Sequence, residues 1–296
     1  MTGSRFSAYR DSAASLHWSW PGATLDFPPP IPYVAGILNV TPDSFSDGGS
    51  YASPGQATAH AWAMAEAGAA IVDVGGQSTR PGSAPVSLRE EEERTLPALK
   101  ALKEMFSEGV PGGRILISLD TDKPALAEKV FDLGLADILN DESGGDPAMA
   151  RIAARYGAPL ILMHRPATPT GSDFAAVREG LAYLRQLYMD AGLPKEHIAL
   201  DPGLGFGKGV DGDMVILSRL GELLELGGPL YIGASRKGFI GRFSGNPDPG
   251  RRLGGSLAAA LWAASAGAAF LRVHDVRETV EALTMAAALR NRIVGG

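Results

Sequence analysis

The chain has 296 residues, 45% of them hydrophobic, enough to bury one large core or two modest ones. Its formal net charge is −6 and no run of Lys or Arg makes a stripe, which argues against a nucleic-acid partner. The absence of cysteine excludes disulfides, thiolate metal sites and a cysteine nucleophile.

Residues 1–30 lack sustained periodicity and end in Phe27-Pro28-Pro29-Pro30, where missing amides oppose regular structure. They read as an N-terminal extension, with Trp18 and Trp20 available to pack it onto the body. Arg5 and Arg10 precede a polar segment, so no secretory signal is expected and the expected location is the cytoplasm. The apolar stretch 257–271 holds Gly and Ser and abuts Arg272, so it reads as buried helix and strand rather than a membrane span. The segment 257–269 leaves a homodimer open, although burial within the barrel explains it as well.

From residue 31 to 296 one pattern recurs: a short apolar run, a polar or glycine-rich junction, then helix-like spacing. The runs are 34–40, 70–74, 115–120, 137–140, 160–163, 197–201, 230–233 and 269–274. Helix starts are marked by Ser53-Pro54 and Asp146-Pro147, by Asp122 before Pro124, and by the capping-box pairs Ser87 with Glu90 and Asp275 with Glu278. Eight apolar strands alternating with helices predict a closed (β/α)8 barrel, with a doubly wound open sheet as the alternative.

In such a barrel the loops after the strands share one rim, where chemistry should collect. The first strand runs into Asn39-Val40-Thr41-Pro42-Asp43 and the second, from Asp73, into Gln77-Ser78-Thr79-Arg80-Pro81-Gly82, both long, polar and glycine-bearing. Asp120, Asn140 and Asp201 end the third, fourth and sixth strands. Each could cap its following helix, but Asp122 and Asp146 are better placed for two of them, so two polar groups are left for a donor-rich ligand. Pro202-Gly203-Leu204-Gly205-Phe206-Gly207-Lys208 resembles a phosphate cradle weakly, and equally lets the backbone approach a flat ring beside Phe206. Ser235-Arg236-Lys237 and Arg272-Val273-His274-Asp275 place positive charge after the seventh and eighth strands, the usual phosphate position of this barrel.

These segments together resemble the dihydropteroate synthases over roughly residues 34–280. The resemblance implies a pterin-binding (β/α)8 TIM barrel whose substrates are a pterin diphosphate and 4-aminobenzoate. It implies that Asp120, Asn140, Asp201 and Lys237 hold the pterin with Met163 against its face, and that Arg272, His274, Thr79 and Asn39 receive the diphosphate. Asn39 would also give an oxygen to Mg2+, and Phe206, Arg80, Pro81 and the Lys237 stem would neighbour the aminobenzoate. Catalysis is then expected to come from stabilising the leaving diphosphate, with Arg272, His274 and Lys237 as the groups at the reaction. Two departures stand out: Gly238 follows Lys237 where many relatives have a polar residue, and Arg165-Pro166-Ala167-Thr168-Pro169 replaces a glycine-containing loop. The competing readings are a methyltetrahydrofolate methyltransferase acting with a corrinoid protein, which needs no diphosphate site, and a non-catalytic pterin-binding paralogue.

Overall fold

The computed structural model describes residues 16–20, 23–27, 31–41, 54–77, 85–107, 109 and 113–294. Two antiparallel strands come first, β1 (Leu16–Trp20) and β2 (Ala23–Phe27). Then follow β3 (Tyr33–Asn39), α1 (Pro54–Glu66), β4 (Ile71–Gly75), α2 (Leu88–Ser107), β5 (Leu116–Thr121), α3 (Pro124–Asp132), β6 (Ile138–Asp141) and α4 (Pro147–Tyr156). The second half runs β7 (Leu160–Met163), α5 (Phe174–Asp190), β8 (Ile198–Asp201), α6 (Gly209–Ser218), β9 (Tyr231–Ile232), α7 (Gly238–Ser244), α8 (Leu253–Ser265), β10 (Phe270–Val273) and α9 (Val276–Val294).

The eight later strands are parallel, in the order β8-β7-β6-β5-β4-β3-β10-β9. A parallel bridge between Leu200 and Leu230 brings the two ends together, so the sheet is a barrel and the open alternative is excluded. Every one of the eight apolar runs is a strand, the shortest being β9 with two residues.

The two-residue period of a strand decides what lies inside. Val72, Val74, Ile117, Leu119, Leu139, Leu162 and Leu200 face outward into one apolar cluster with the helices. Ala35, Ile71, Leu116, Ile138, Ile161, Ala199, Tyr231 and Phe270 face inward and fill the N-terminal end of the barrel. One inward step further along, the residues are Ile37, Asp73, Ser118, Asn140, Met163, Asp201 and Arg272. The interior therefore changes from an apolar plug to a largely polar floor within two residues, Ile37 and Met163 remaining apolar.

The helix starts follow local chemistry in part. Asp146 caps α4, its side chain accepting from Ala148 N at 2.7 Å. Ser87 accepts from Glu90 N at 3.3 Å, but the Glu90 carboxylate bonds Arg94 rather than returning to Ser87. Asp122 does not cap α3: the N-cap is Lys123, and the Asp122 carboxylate pairs with the Lys123 ammonium at 3.0 Å. Asp275 does not form its capping box either, because its carboxylate is bonded to Arg236. Ser53 lies outside the described residues.

The strands β1 and β2 fall where no regular structure was expected. Trp18 of β1 is fully buried against the apolar plug, its ring 4.9 Å from that of Phe270, and its indole N–H donates to the His197 carbonyl at 2.7 Å. Burying the large ring stabilises the barrel end, and the N–H is satisfied as a buried indole requires. Trp18→Ala is expected to cost about 3–5 kcal/mol. Urea unfolding should show that loss with no change in ligand affinity at the opposite rim. A variant as stable as the parent would mean that the hairpin is not part of the barrel's core.

Candidate active site

The polar floor is built around one guanidinium. Arg272 of β10 donates from Nε to Asp73 Oδ2 at 2.6 Å and from Nη2 to Asp120 Oδ2 at 2.5 Å. Asn140 of β6 donates to the same Asp73 oxygen at 3.0 Å. Asp73 is fully buried on β4, and the next residue of β6, Asp141, points the other way to accept from Tyr188 and from Ser143 N. Strand parity thus selects Asn140, not Asp141, for the barrel interior.

The carboxyl of Asp120 is pushed well above the ordinary carboxylate range, first by burial and then by the neighbouring Glu142 carboxylate, against the pull of Arg272. Glu142 is raised by burial as well, and its Oε2 is buried without a hydrogen-bond partner. Arg165 donates to the Glu142 carbonyl at 3.1 Å and sets its guanidinium 5.6 Å from the Phe206 ring centroid.

Opposite this cluster, Asp201 ends β8. Its Oδ1 accepts from Gly203 N at 2.7 Å, and burial raises its pKa while Lys237, Lys208 and Arg272 oppose the rise. Lys237 lies after β9, with its ammonium 4.3 Å from the Phe206 ring centroid and its pKa lowered by burial and then by Arg272. Met163 of β7 is 2% exposed in the same interior and pairs in register with Asp201.

The glycine-rich loop 202–208 is not a phosphate cradle. Lys208 is 1% exposed, and its ammonium donates to the carbonyls of His164 at 2.8 Å and Phe206 at 2.9 Å. It braces the loop after β8 against the loop after β7, and burial lowers its pKa to about 8. Gly203 has φ 67° and a Cβ there would come within 2.3 Å of the His164 carbonyl oxygen. The glycine serves that close approach, and Phe206 is left as an aromatic wall beside Lys237.

At the third side, the Ser235 hydroxyl meets His274 Nδ1 at 3.0 Å, and Arg236 joins Asp275 through two bonds of 3.1 and 2.5 Å. Asn39 ends β3 opposite Gly75, where an added Cβ would lie 3.6 Å from Asn39 Oδ1 and 3.2 Å from Asp120 Oδ2. The barrel thus brings together Asp120, Asn140, Asp201, Met163, Lys237 and Arg272, with Phe206, His274 and Asn39 around them. Thr79, Arg80, Pro81 and Asp43 lie outside the described residues.

Sequence reasoning quoted Asp73 only as the start of a motif. The signal was a lone acid inside the apolar run Ile71-Val72-Asp73-Val74, at an inward position. Glu142 carried no such mark.

The family model described as pterin binding enzyme matches residues 35–274. A dihydropteroate synthase of Escherichia coli is 43% identical over 261 residues, spanning 85% of this chain and 89% of that protein. One from Synechocystis sp. is 40% identical over 285 residues, spanning 89% and 96%. Among solved structures, the Xanthomonas albilineans dihydropteroate synthase with 4-aminobenzoic acid superposes with a TM-score of 0.85 at 38% identity, covering 93% of this chain and 98% of that one. The same enzyme in complex with 7,8-dihydropteroate gives 0.82 at 36%, covering 93% and 98%. Among the described residues, no helix is long and apolar enough to cross a membrane.

Proposed function

The chain belongs to the pterin-binding enzymes, and within them to the dihydropteroate synthases, and we propose how its barrel rim carries out their reaction. The enzyme joins 6-hydroxymethyl-7,8-dihydropterin diphosphate to 4-aminobenzoate. The bond from the pterin methylene carbon to the diphosphate oxygen breaks, the aromatic amine bonds that carbon, and the amine gives up a proton.

The observation that carries the assignment is the buried cluster of Arg272, Asp73, Asp120 and Asn140 facing Asp201 and Lys237 across the barrel. A pterin presents an amino group and an adjacent ring N–H as a paired donor edge. Asp201 suits that edge, since a carboxylate offers two acceptor oxygens and its Oδ1 is oriented by the bond from Gly203 N. Lys237 donates to the ring carbonyl, Asp120 and Asn140 hold the remaining ring edge, and Met163 packs on the face. Phe206 walls the aminobenzoate side, and Arg80 is assigned to the same substrate by the resemblance alone.

The leaving diphosphate falls to Arg272, His274, Thr79 and Asn39. Arg272 is restrained by two carboxylates, so its Nη1 edge is aimed but its charge is largely balanced. Further positive charge is therefore needed. The Asn39 side-chain oxygen lies beside Gly75, a hard donor compatible with Mg2+, and among the described residues no group of three or more His, Cys, Asp or Glu side chains could hold a metal without the substrate. Asn39 would hold the ion together with the diphosphate and water, and the ion would supply charge neutralisation at the leaving group. A methyl transfer to a corrinoid protein would bring no diphosphate for Arg272 and His274 to stabilise.

A cytoplasmic location and a homodimer complete the proposal. The dimer rests on the exposed apolar side chains Trp262 of α8 and Met285 and Leu289 of α9. The enzyme is expected to release diphosphate from the pterin substrate only when 4-aminobenzoate is present, in equal amount to the dihydropteroate formed. Chelation should lower that rate by at least about tenfold and Mg2+ should restore it. A rate indifferent to chelator would remove the metal from Asn39.

A further inference from the structure

The loops after β9 and β10 meet at Ser235. Its hydroxyl oxygen lies 3.2 Å from the backbone nitrogen of His274 and 3.0 Å from Nδ1 of the same residue. A backbone N–H can only donate, so the serine oxygen accepts that bond. Ser235 is 7% exposed, and among the described residues its own O–H has one acceptor in reach, Nδ1. Were Nδ1 protonated, the hydroxyl would accept twice and keep a buried donor with nothing to meet, which folded proteins avoid.

We propose that the Ser235 hydroxyl holds His274 in the tautomer that carries its proton on Nε2, so that the far edge of the imidazole is a hydrogen-bond donor. Ser235 is thus a positioning residue. The proposal rests on the reading that His274 faces the leaving diphosphate, because an N–H aimed at an anionic oxygen stabilises it and a lone pair repels it.

The surroundings keep the serine in place. Arg236, the next residue, has φ 58°, a left-handed conformation uncommon outside glycine. It is retained by the paired bonds to Asp275, by its own N–H donating to Ser256 Oγ at 3.0 Å, and by Arg252, which donates to the carbonyls of Arg236 at 2.8 Å and Lys237 at 3.3 Å. Such strain persists where neighbours over-determine it.

The chain has five histidines, so histidine-labelled protein gives a readable set of imidazole signals. Long-range proton–nitrogen correlation at pH about 8, above the ordinary imidazole pKa of about 6.5, reports each tautomer, with His274→Gln identifying the signal. We expect a protonated Nε2 in the parent, a mixture of tautomers in Ser235→Ala, and recovery in Ser235→Thr, which keeps the hydroxyl. Turnover should fall about tenfold in the alanine variant, with KM for aminobenzoate unchanged, and return in the threonine variant. A protonated Nδ1 in the parent, or the same spectrum in Ser235→Ala, would overturn the proposal. A shifted tautomer with unchanged turnover would uphold the role of Ser235 and instead remove His274 from the leaving group.

Discussion

Arg272→Met is expected to lower stability by about 3–5 kcal/mol, the cost of breaking a buried ion pair, and to slow turnover of the remaining folded enzyme by about 10²–10³-fold. The methionine nearly fills the space of the arginine stem, so packing changes little. What disappears is the cation between Asp73, which is fully buried, and Asp120, which is 8% exposed. Asp120 is already raised by burial and by Glu142, and without the guanidinium it is raised further. A carboxyl whose folded-state pKa exceeds its unfolded value favours folding at low pH, and that advantage is lost as pH rises through the folded pKa. The variant should therefore lie closest to the parent in stability under mildly acidic conditions and fall behind as pH rises. Adding Asp73→Asn removes one uncompensated charge and should recover much of the stability, while turnover stays low because nothing is aimed at the leaving group. Urea unfolding at two pH values, read beside diphosphate release, separates the two roles. A single variant as stable as the parent, or a double variant that regains turnover, would show that this network does not couple the floor to the reaction.

The barrel was legible because its strands are buried on both faces, so each is a short apolar run closed by a polar junction. The run 34–40 differs from β3 by one residue at each end; Asp201 ends its strand as read, while β5 and β6 run one residue past Asp120 and Asn140, to Thr121 and Asp141. Pairing was not legible. Asp73 and Arg272 are 199 residues apart, and only closure of the ring makes them partners. Asp122 failed as a cap because Lys123 competes for its carboxylate, a contest that helix-start patterns ignore. The hairpin β1–β2 escaped notice because five-residue strands are too short to show a period, although the Pro21-Gly22 pair between them is a turn signal. Its attachment through Trp18 to His197 and Phe270 is again tertiary.

Asp201→Asn is expected to weaken pterin binding while leaving the free protein as stable as the parent or more so. Asp201 is 7% exposed, and burial holds its pKa above the ordinary value despite Lys237, Lys208 and Arg272 nearby. An acid with a raised folded-state pKa costs stability when ionised at neutral pH, so an amide of the same shape removes that cost. The amide oxygen can keep the bond from Gly203 N, and the loop geometry survives. Its NH2, however, now confronts the donor edge of the pterin, where the carboxylate oxygen accepted. Two donors face each other in a desolvated pocket, a loss of about 1–3 kcal/mol, or roughly 5- to 150-fold in affinity. In the parent, affinity should also fall as pH drops through the raised pKa of Asp201, since only the ionised form accepts from both pterin donors. That limb should be missing in the variant. Calorimetric titration with a pterin lacking diphosphate isolates the ring from the leaving group, and thermal unfolding of the free protein gives the stability. Unchanged affinity would move the pterin edge away from Asp201, and a large loss of stability would make the carboxylate a structural anchor of the loop that begins at Pro202.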